Sequence, residues 1–340
     1  MIDSIVAKGF LPDFALRRGI RHLIDKRLDE ILFGKADQLD QRRRDLVNEL
    51  SESPIALETD LANDQHYQVP SAFFEKVLGE NLKYSCAYWP EGTSSLVDAE
   101  NRMLELTCER AEIVDGMSIL ELGCGWGAIT LFMAKKYPNS KIVAISNSKT
   151  QKIHIESRCE KEGVTNVEVR TCNVAELELS ETFDRVVSVE MFEHMRNYKK
   201  LLSNISRWLN ENGKLFVHVF VHSKMPYKFE VKDESDWMSR YFFSGGIMPS
   251  EHLFYYFQDD LKISRHWSFS GEHYAKTARA WLNKMDENKE EIYQIFNEHY
   301  GKKEATKWFN YWRVFFMSCE ELWAFNRGRE WLIGHYLFEK

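Results

Sequence analysis

The stretch Ser118-Ile-Leu-Glu-Leu-Gly-Cys-Gly-Trp-Gly-Ala128 is a mostly apolar run broken by one acidic residue, then three glycines at alternate positions, then helix formers through Lys136. That order predicts a buried strand, a tight turn and the N-terminus of a helix. Glycines at 123, 125 and 127 let the chain turn sharply and let a ligand approach where a Cβ would otherwise stand. The helix beyond them offers unpaired N–H groups to an electron-rich ligand group. A nucleotide-like cofactor suits such a turn.

Two cofactor classes compete for it. The dinucleotide fingerprint is G-x-G-x-x-G, whose helix meets a pyrophosphate. Here the spacing is G-x-G-x-G, with Glu121 two residues ahead. Downstream, residues 141–146 read as a second strand followed by Asn147 and Gln151, and 167–171 as a third followed by Asn173 and Val174. Residues 183–189 form a fourth, with an F-D-x-V pattern. The series resembles the class I S-adenosylmethionine (SAM) methyltransferases, whose acidic residue orients the loop and whose glycines face the cofactor's amino-acid end. An NAD-type site and a cofactor-free relic are the alternatives.

Composition sets bounds. A chain of 340 residues with 44% hydrophobic content can bury a large core. A net charge of −7 disfavours a general nucleic-acid binder. The six cysteines (86, 108, 124, 159, 172, 319) show no C-x-x-C or zinc spacing, so reduced thiols in a cytoplasmic protein are expected, with no metal. No apolar run reaches the length of a membrane span, and the first residues lack a signal-peptide pattern. Aromatics are 14% of the chain and crowd its last third, which suits an aromatic core with some residues left to line a pocket.

Residues 1–60 read as an extension of two or three amphipathic helices. Arg17, Arg18, Arg21 and Arg27 lie beside a stripe of Leu16, Ile20, Leu23, Ile24 and Leu28. Nearby acidic residues make a solvated face the expectation there, rather than a membrane surface, and these helices are the candidate contact of a homodimer. Residues 61–110 form a helical lead-in to the glycine loop, and 111–340 the core. A fifth strand is expected at 214–222, a sixth at 263–270 and a seventh at 331–338. Acceptor-binding insertions fall at about 223–260 and 275–327, the second as two long helices over 276–300 and 305–326. The expected fold is α/β, a Rossmann-like sheet of seven strands, parallel where strands and helices alternate up to about residue 222, under a helical, aromatic acceptor cap.

Four motifs make the resemblance narrower: Tyr84-Ser-Cys-Ala-Tyr-Trp89, Glu121-Leu-Gly-Cys-Gly-Trp-Gly127, Ser188-Val-Glu-Met-Phe-Glu-His194 and Gly245-Gly-Ile-Met-Pro-Ser250. Together they resemble the cyclopropane-fatty-acid-synthase family of SAM enzymes. Asn63-Asp-Gln-His-Tyr67, Asn147-Ser148, Tyr256-Phe-Gln-Asp-Asp260 and the Glu190/Glu193 spacing are most similar to its coclaurine N-methyltransferase branch. The resemblance implies methyl transfer onto an amine nitrogen, with S-adenosylhomocysteine (SAH) as by-product. It also implies Tyr84 and Ser85 over the cofactor, Gly123 at its methionine end, Asn147 and Gln151 near the ribose, and Asn173 and Val174 at the adenine. Asn173 stands where relatives often carry Asp.

Glu190, Glu193 and His194 are the expected catalytic group. If helical, their i, i+3 and i+4 spacing would put all three on one face. An alkylamine is protonated at neutral pH, and a carboxylate–imidazole pair could take that proton, which is typically worth about 10²–10⁴-fold. Trp237, Tyr241, Trp267, Tyr274 and Trp323 are candidates for an aromatic cage around a cationic acceptor. The same resemblance leaves a lipid alternative, cyclopropanation or methylation of an unsaturated acyl chain. There a bicarbonate base would be held by Cys86, Glu193, His218 and Tyr274. Against it, Glu190 replaces the glycine usual in those synthases, and a carboxylate beside an oily chain is costly to desolvate. A SAM-binding protein without turnover is the remote alternative.

Overall fold

The structure, a computed structural model, describes residues 2–57, 69–231 and 236–340. The Asn63–Tyr67 motif lies outside the described residues. Nine strands occur among them: β1 Ser118–Leu122, β2 Lys141–Ser146, β3 Val167–Thr171, β4 Phe183–Val189, β5 Leu209–His222, β6 Tyr227–Lys228, β7 Ile247–Met248, β8 Lys262–Ser270 and β9 Trp331–Glu339. Seven make one sheet in the order β3-β2-β1-β4-β5-β9-β8, and β6 with β7 make a small ribbon.

The fold class is the expected one, but the sheet is mixed. β1 to β5 pair in parallel, whereas β9 inserts antiparallel between β5 and β8. The chain leaves β8, builds the helical cap, and returns as β9 beside β5. β1, β2, β4 and the second half of β5 are buried along most of their length because helices cover both sheet faces. The strand order reverses between β1 and β4, which opens a crevice at their carboxyl ends.

The cap differs from expectation in one place. The helix expected over 276–300 is two helices, Glu272–Glu287 and Lys289–Tyr300, broken at Asn288 (φ −99°, ψ 22°). The Asn288 amide donates to Lys76 O at 3.2 Å and to Lys284 O at 2.8 Å, so its side chain takes the place of continued helix pairing. The third cap helix, Lys302–Ala324, packs across both. Trp281, Trp312, Phe316 and Phe296 are fully buried between these helices and Phe73 and Phe74 of the lead-in helix Ser71–Val77. Most of the aromatic excess is therefore core.

The basic face of the N-terminal helices Ile2–Lys8, Asp13–Leu32 and Ala36–Glu52 is solvated at Arg18 and Arg21, as expected, whereas Arg17 and Arg27 are half-buried against the cap. Arg17 and Arg21 reach Glu321 of the last cap helix at 2.6 and 2.5 Å, and Arg27 reaches Asp236 at 2.7 Å. Among the described residues no helix is long and apolar enough to cross a membrane. Glu321 is 7% exposed and anchors two guanidiniums from a distant part of the chain. Glu321→Ala should lower stability by roughly 2 kcal/mol, because charged hydrogen bonds are lost and Arg17 is left partly buried. A urea midpoint unchanged from the parent would show that the N-terminal helices are held by their apolar stripe alone.

Candidate functional site

The glycine turn forms as its spacing demands. Gly123, Gly125 and Gly127 all take positive φ, at +80°, +53° and +84°. Their surroundings differ. A Cβ on Gly123 would meet Met191 at 2.7 Å and one on Gly127 would meet Ile155 at 2.8 Å, so those two allow close packing. A Cβ on Gly125 would meet nothing within 4 Å, because Gly125 faces the open crevice.

That crevice has two lobes, of about 60 and 70 Å³, which share Gly123, Gly125 and Gln151. One lobe is lined by Asn147, Asn173, Val174, Met191 and His194, the other by Lys83, Tyr84, Ser85, Thr107, Trp126 and Glu190. Gln151 is buried with its Oε1 accepting from Ser146 Oγ at 2.7 Å, while its Nε2 has no protein partner among the described residues. An unpaired buried amide donor beside open space is what a polar ligand would satisfy. Asn173 Oδ1 accepts from Ala175 N–H at 3.0 Å, which fixes this side chain on the crevice wall. Eight of the ten expected cofactor residues therefore line one crevice.

Glu121 and Gly127 are not among its walls. Glu121 is buried and accepts from Thr130 Oγ1 at 2.6 Å, tying β1 to the helix Ala128–Lys136 behind the turn. Burial pushes its carboxyl up to about 7. Its part is to shape the loop.

The acceptor group is not a helix face. Glu190 has φ +48°, a left-handed conformation that a residue with a Cβ adopts at a cost of about 1–3 kcal/mol. Its N–H donates to His218 O on β5 at 2.8 Å, which fixes the kink. Only Phe192–His194 form a short 3-10 turn beyond it. The kink re-aims the Glu190 carboxylate, which accepts from Cys86 N–H at 2.8 Å, from Tyr274 O–H at 2.6 Å and from His218 Nε2 at 3.2 Å. Burial alone would raise its pKa; the His218 hydrogen bond, the Lys83 charge and the Cys86 N–H outweigh that and hold it below the usual carboxylate value.

Glu193 lies in the opposite environment. It is 1% exposed, and its Oε2 has no hydrogen-bond partner among the described residues. Burial, then the neighbouring charge of Glu190, pushes its carboxyl well above the ordinary range. His194 stacks on Phe243 with ring centroids 4.8 Å apart. Tyr274 stacks on Trp323 at 4.8 Å and 15°, and burial raises its hydroxyl so that it stays a neutral donor.

Three of the four residues expected around a bicarbonate (Cys86, His218 and Tyr274) thus converge on a carboxylate that the chain itself carries. Trp237 lines a separate cavity of about 180 Å³ between the helix Asp13–Leu32 and the cap, and Tyr241 packs on Tyr311 at 4.9 Å. Trp267 does not join a cage; it covers the Arg110 guanidinium at 4.6 Å. Sequence reading also missed Lys83, a buried ammonium bonded to Ser85 Oγ at 2.5 Å and Cys86 O at 2.7 Å. Its place directly before the Tyr84–Trp89 motif was the available signal.

Comparison with known proteins agrees with this geometry. Residues 58–328 match the family model for mycolic acid cyclopropane synthetase. The chain is 41% identical to (S)-coclaurine N-methyltransferase of Thalictrum flavum subsp. glaucum, over 98% of this chain and 93% of that protein. It is 28% identical to the cyclopropane-fatty-acyl-phospholipid synthase of Escherichia coli, over 79% and 69%. A crystal structure of coclaurine N-methyltransferase bound to N-methylheliamine and SAH superposes with a TM-score of 0.97, at 38% identity over 100% of this chain and 99% of that one. A cyclopropane synthase from Mycobacterium tuberculosis shares the fold, with a TM-score of 0.72 at 20% identity over 85% and 100%. The chain belongs to the mycolic acid cyclopropane synthetase family.

Proposed function

We propose that this protein is a SAM-dependent N-methyltransferase that acts on a small-molecule amine and releases SAH. The observation that carries this reading is the Glu190 carboxylate, buried yet held ionised by three donors. A fixed negative charge suits an acceptor that arrives as an ammonium ion. At about 4 Å, such a pair is worth roughly 4 kcal/mol at an effective dielectric near 20. The relatives that match over nearly the full chain are named for amine methylation, including coclaurine and pavine N-methyltransferases.

The cofactor supplies an electrophilic methyl group, so this chain's residues have to present a free nitrogen lone pair to it. Gly125 leaves the space, and Asn147, Gln151, Asn173 and Val174 line the lobe for the nucleoside. Lys83, Tyr84 and Ser85 line the lobe for the amino-acid end, where a buried ammonium suits a carboxylate. Glu190 holds the incoming cation. The ionised form of Glu193, whose surroundings raise its affinity for a proton, takes the proton that the ammonium must lose, and His194, the next residue, stands on the crevice wall. Two carboxyls with oppositely shifted affinities divide the work: one keeps its charge and the other accepts a proton.

A lipid acceptor fits this site less well. Its bicarbonate would need the donors that Glu190 already occupies, and a fixed carboxylate is costly beside an acyl chain. All six cysteines stand as free thiols, which suits a reducing, cytoplasmic setting.

The test is a by-product assay with SAM against cyclic amines, linear amines and unsaturated phospholipids, with mass spectrometry of the product. Methyl gain on nitrogen is expected, and a methylene added across a double bond would overturn the reading. Glu193→Gln should lower kcat by about 10²-fold or more while SAH affinity holds, and unchanged turnover would remove Glu193 from the mechanism. In the parent enzyme kcat/KM should rise with pH as Glu193 deprotonates, above the ordinary carboxylate range, and this rise should vanish in Glu193→Gln. Gly125→Val should abolish SAH binding in calorimetry, because a branched side chain at φ +53° would stand in the crevice.

A further inference from the structure

Behind Glu190 a line of side chains runs through the sheet that neither the cofactor nor the acceptor would touch. Arg110, the last residue of the helix Leu96–Arg110, places Nη1 3.0 Å from His335 Nδ1. His335 Nε2 lies 2.9 Å from His218 Nδ1, and His218 Nε2 lies 3.2 Å from Glu190 Oε1. His218 and His335 are register partners on β5 and β9, and both are fully buried. The guanidinium is clamped between Trp267 and Phe269, 4.6 and 4.4 Å from their ring centroids.

The direction of every bond in this line follows from its first member. A guanidinium can only donate. His335 Nδ1 must therefore accept, so its single proton sits on Nε2 and is given to His218 Nδ1. His218 must then carry its own proton on Nε2, which points it at Glu190. Burial lowers the proton affinity of both rings, in keeping with one proton on each. Had His335 the other tautomer, two N–H groups would face each other at Arg110, and the reversed line would turn a lone pair of His218 onto the carboxylate.

We propose that Arg110 and His335 are positioning residues of the transfer reaction: through this one-way line they set the tautomer of His218 and so keep a donor aimed at Glu190. The proposal rests on the reading of Glu190 as the charge that holds the acceptor. It has a consequence for the proton released from the acceptor. Arg110 accepts no proton, so the line is closed at its outer end and that proton leaves by way of Glu193 instead. The groups facing Glu190 are Lys83 and Cys86 from the lead-in loop, Glu193 from the following turn, His218 from β5, and Tyr274 and Cys319 from the cap. The line from Arg110 adds a remote positive end to that set.

The test is nitrogen-15 NMR of histidine-labelled full-length protein without acceptor, assigned with His218→Gln and His335→Gln spectra. Both rings should be neutral and protonated on Nε2. A proton on Nδ1 of either ring in the parent protein would overturn the proposal. In Arg110→Met, His335 should gain Nδ1 protonation. On a Glu193→Gln background, which removes the second carboxylate, affinity for N,N-dimethylpiperidinium should be followed against pH. Arg110→Met should move the acid midpoint of that binding upward by roughly one pH unit, a tenfold change in proton affinity at Glu190. Unchanged tautomers with an unchanged midpoint would reduce Arg110 to a packing role. Should Arg110→Met fail to fold, the parent spectrum decides alone. Absence of dimethylpiperidinium binding in every variant, the parent included, would count against an amine acceptor, while the tautomers would still report on the line itself.

Discussion

A carboxylate taken out of water has to be matched donor by donor, and the Glu190 side chain is where the rest of this structure meets that requirement. An unpaired ion there would cost several kcal/mol. The three donors come from residues 86, 218 and 274, hence from the lead-in loop, the middle of the sheet and the cap. No local segment could supply them. The left-handed backbone at Glu190 is part of the same solution, since an extended or helical residue at the end of β4 would aim the side chain elsewhere. Assembly of the site and assembly of the tertiary fold are therefore one event.

The same constraint accounts for the antiparallel end of the sheet. His218 needs a partner on its far ring nitrogen, and only a strand lying beside β5 can deliver one within the fully buried layer. β9 does so with His335 in direct register. It is reached after the whole cap has been built, which brings Tyr274 over the carboxylate on the way. The Arg17–Glu321 and Arg27–Asp236 pairs then close the N-terminal helices over the outside of the cap. Each layer holds in place the one that carries charge.

Much of this was legible in residues alone, and the boundary is physical. The glycine turn, five parallel strands and most of the crevice follow from short-range rules: a period of hydrophobicity, a positive φ, a helix start. Strands β1 to β4 have the bounds their apolar runs suggest. What sequence spacing missed are features set by distant contacts. Glu190, Glu193 and His194 have helical spacing but no helix, because the β4–β5 pairing carries on to the His218 carbonyl and captures the Glu190 N–H. Asn288 breaks a periodic helix because Lys76 O from the lead-in accepts its amide. Trp267 looked like a cage residue by type, yet its ring covers Arg110, which nothing local to either residue foretells.

The chain-borne carboxylate also explains why two glutamates are needed. A dissociable anion can serve as a base, carry its proton away and be replaced from solution. A glutamate held by three donors has no such freedom. Two of its donors sit on Oε1 and one on Oε2, so a proton it took would have to share Oε2 with the Tyr274 hydroxyl. Its best use is as a permanent charge. The proton must then go to a group with a high affinity for it, and the ionised form of Glu193, buried, close enough to feel the Glu190 charge, and with one oxygen unpartnered among the described residues, meets that condition. Fixing the first carboxylate is what creates the demand for the second.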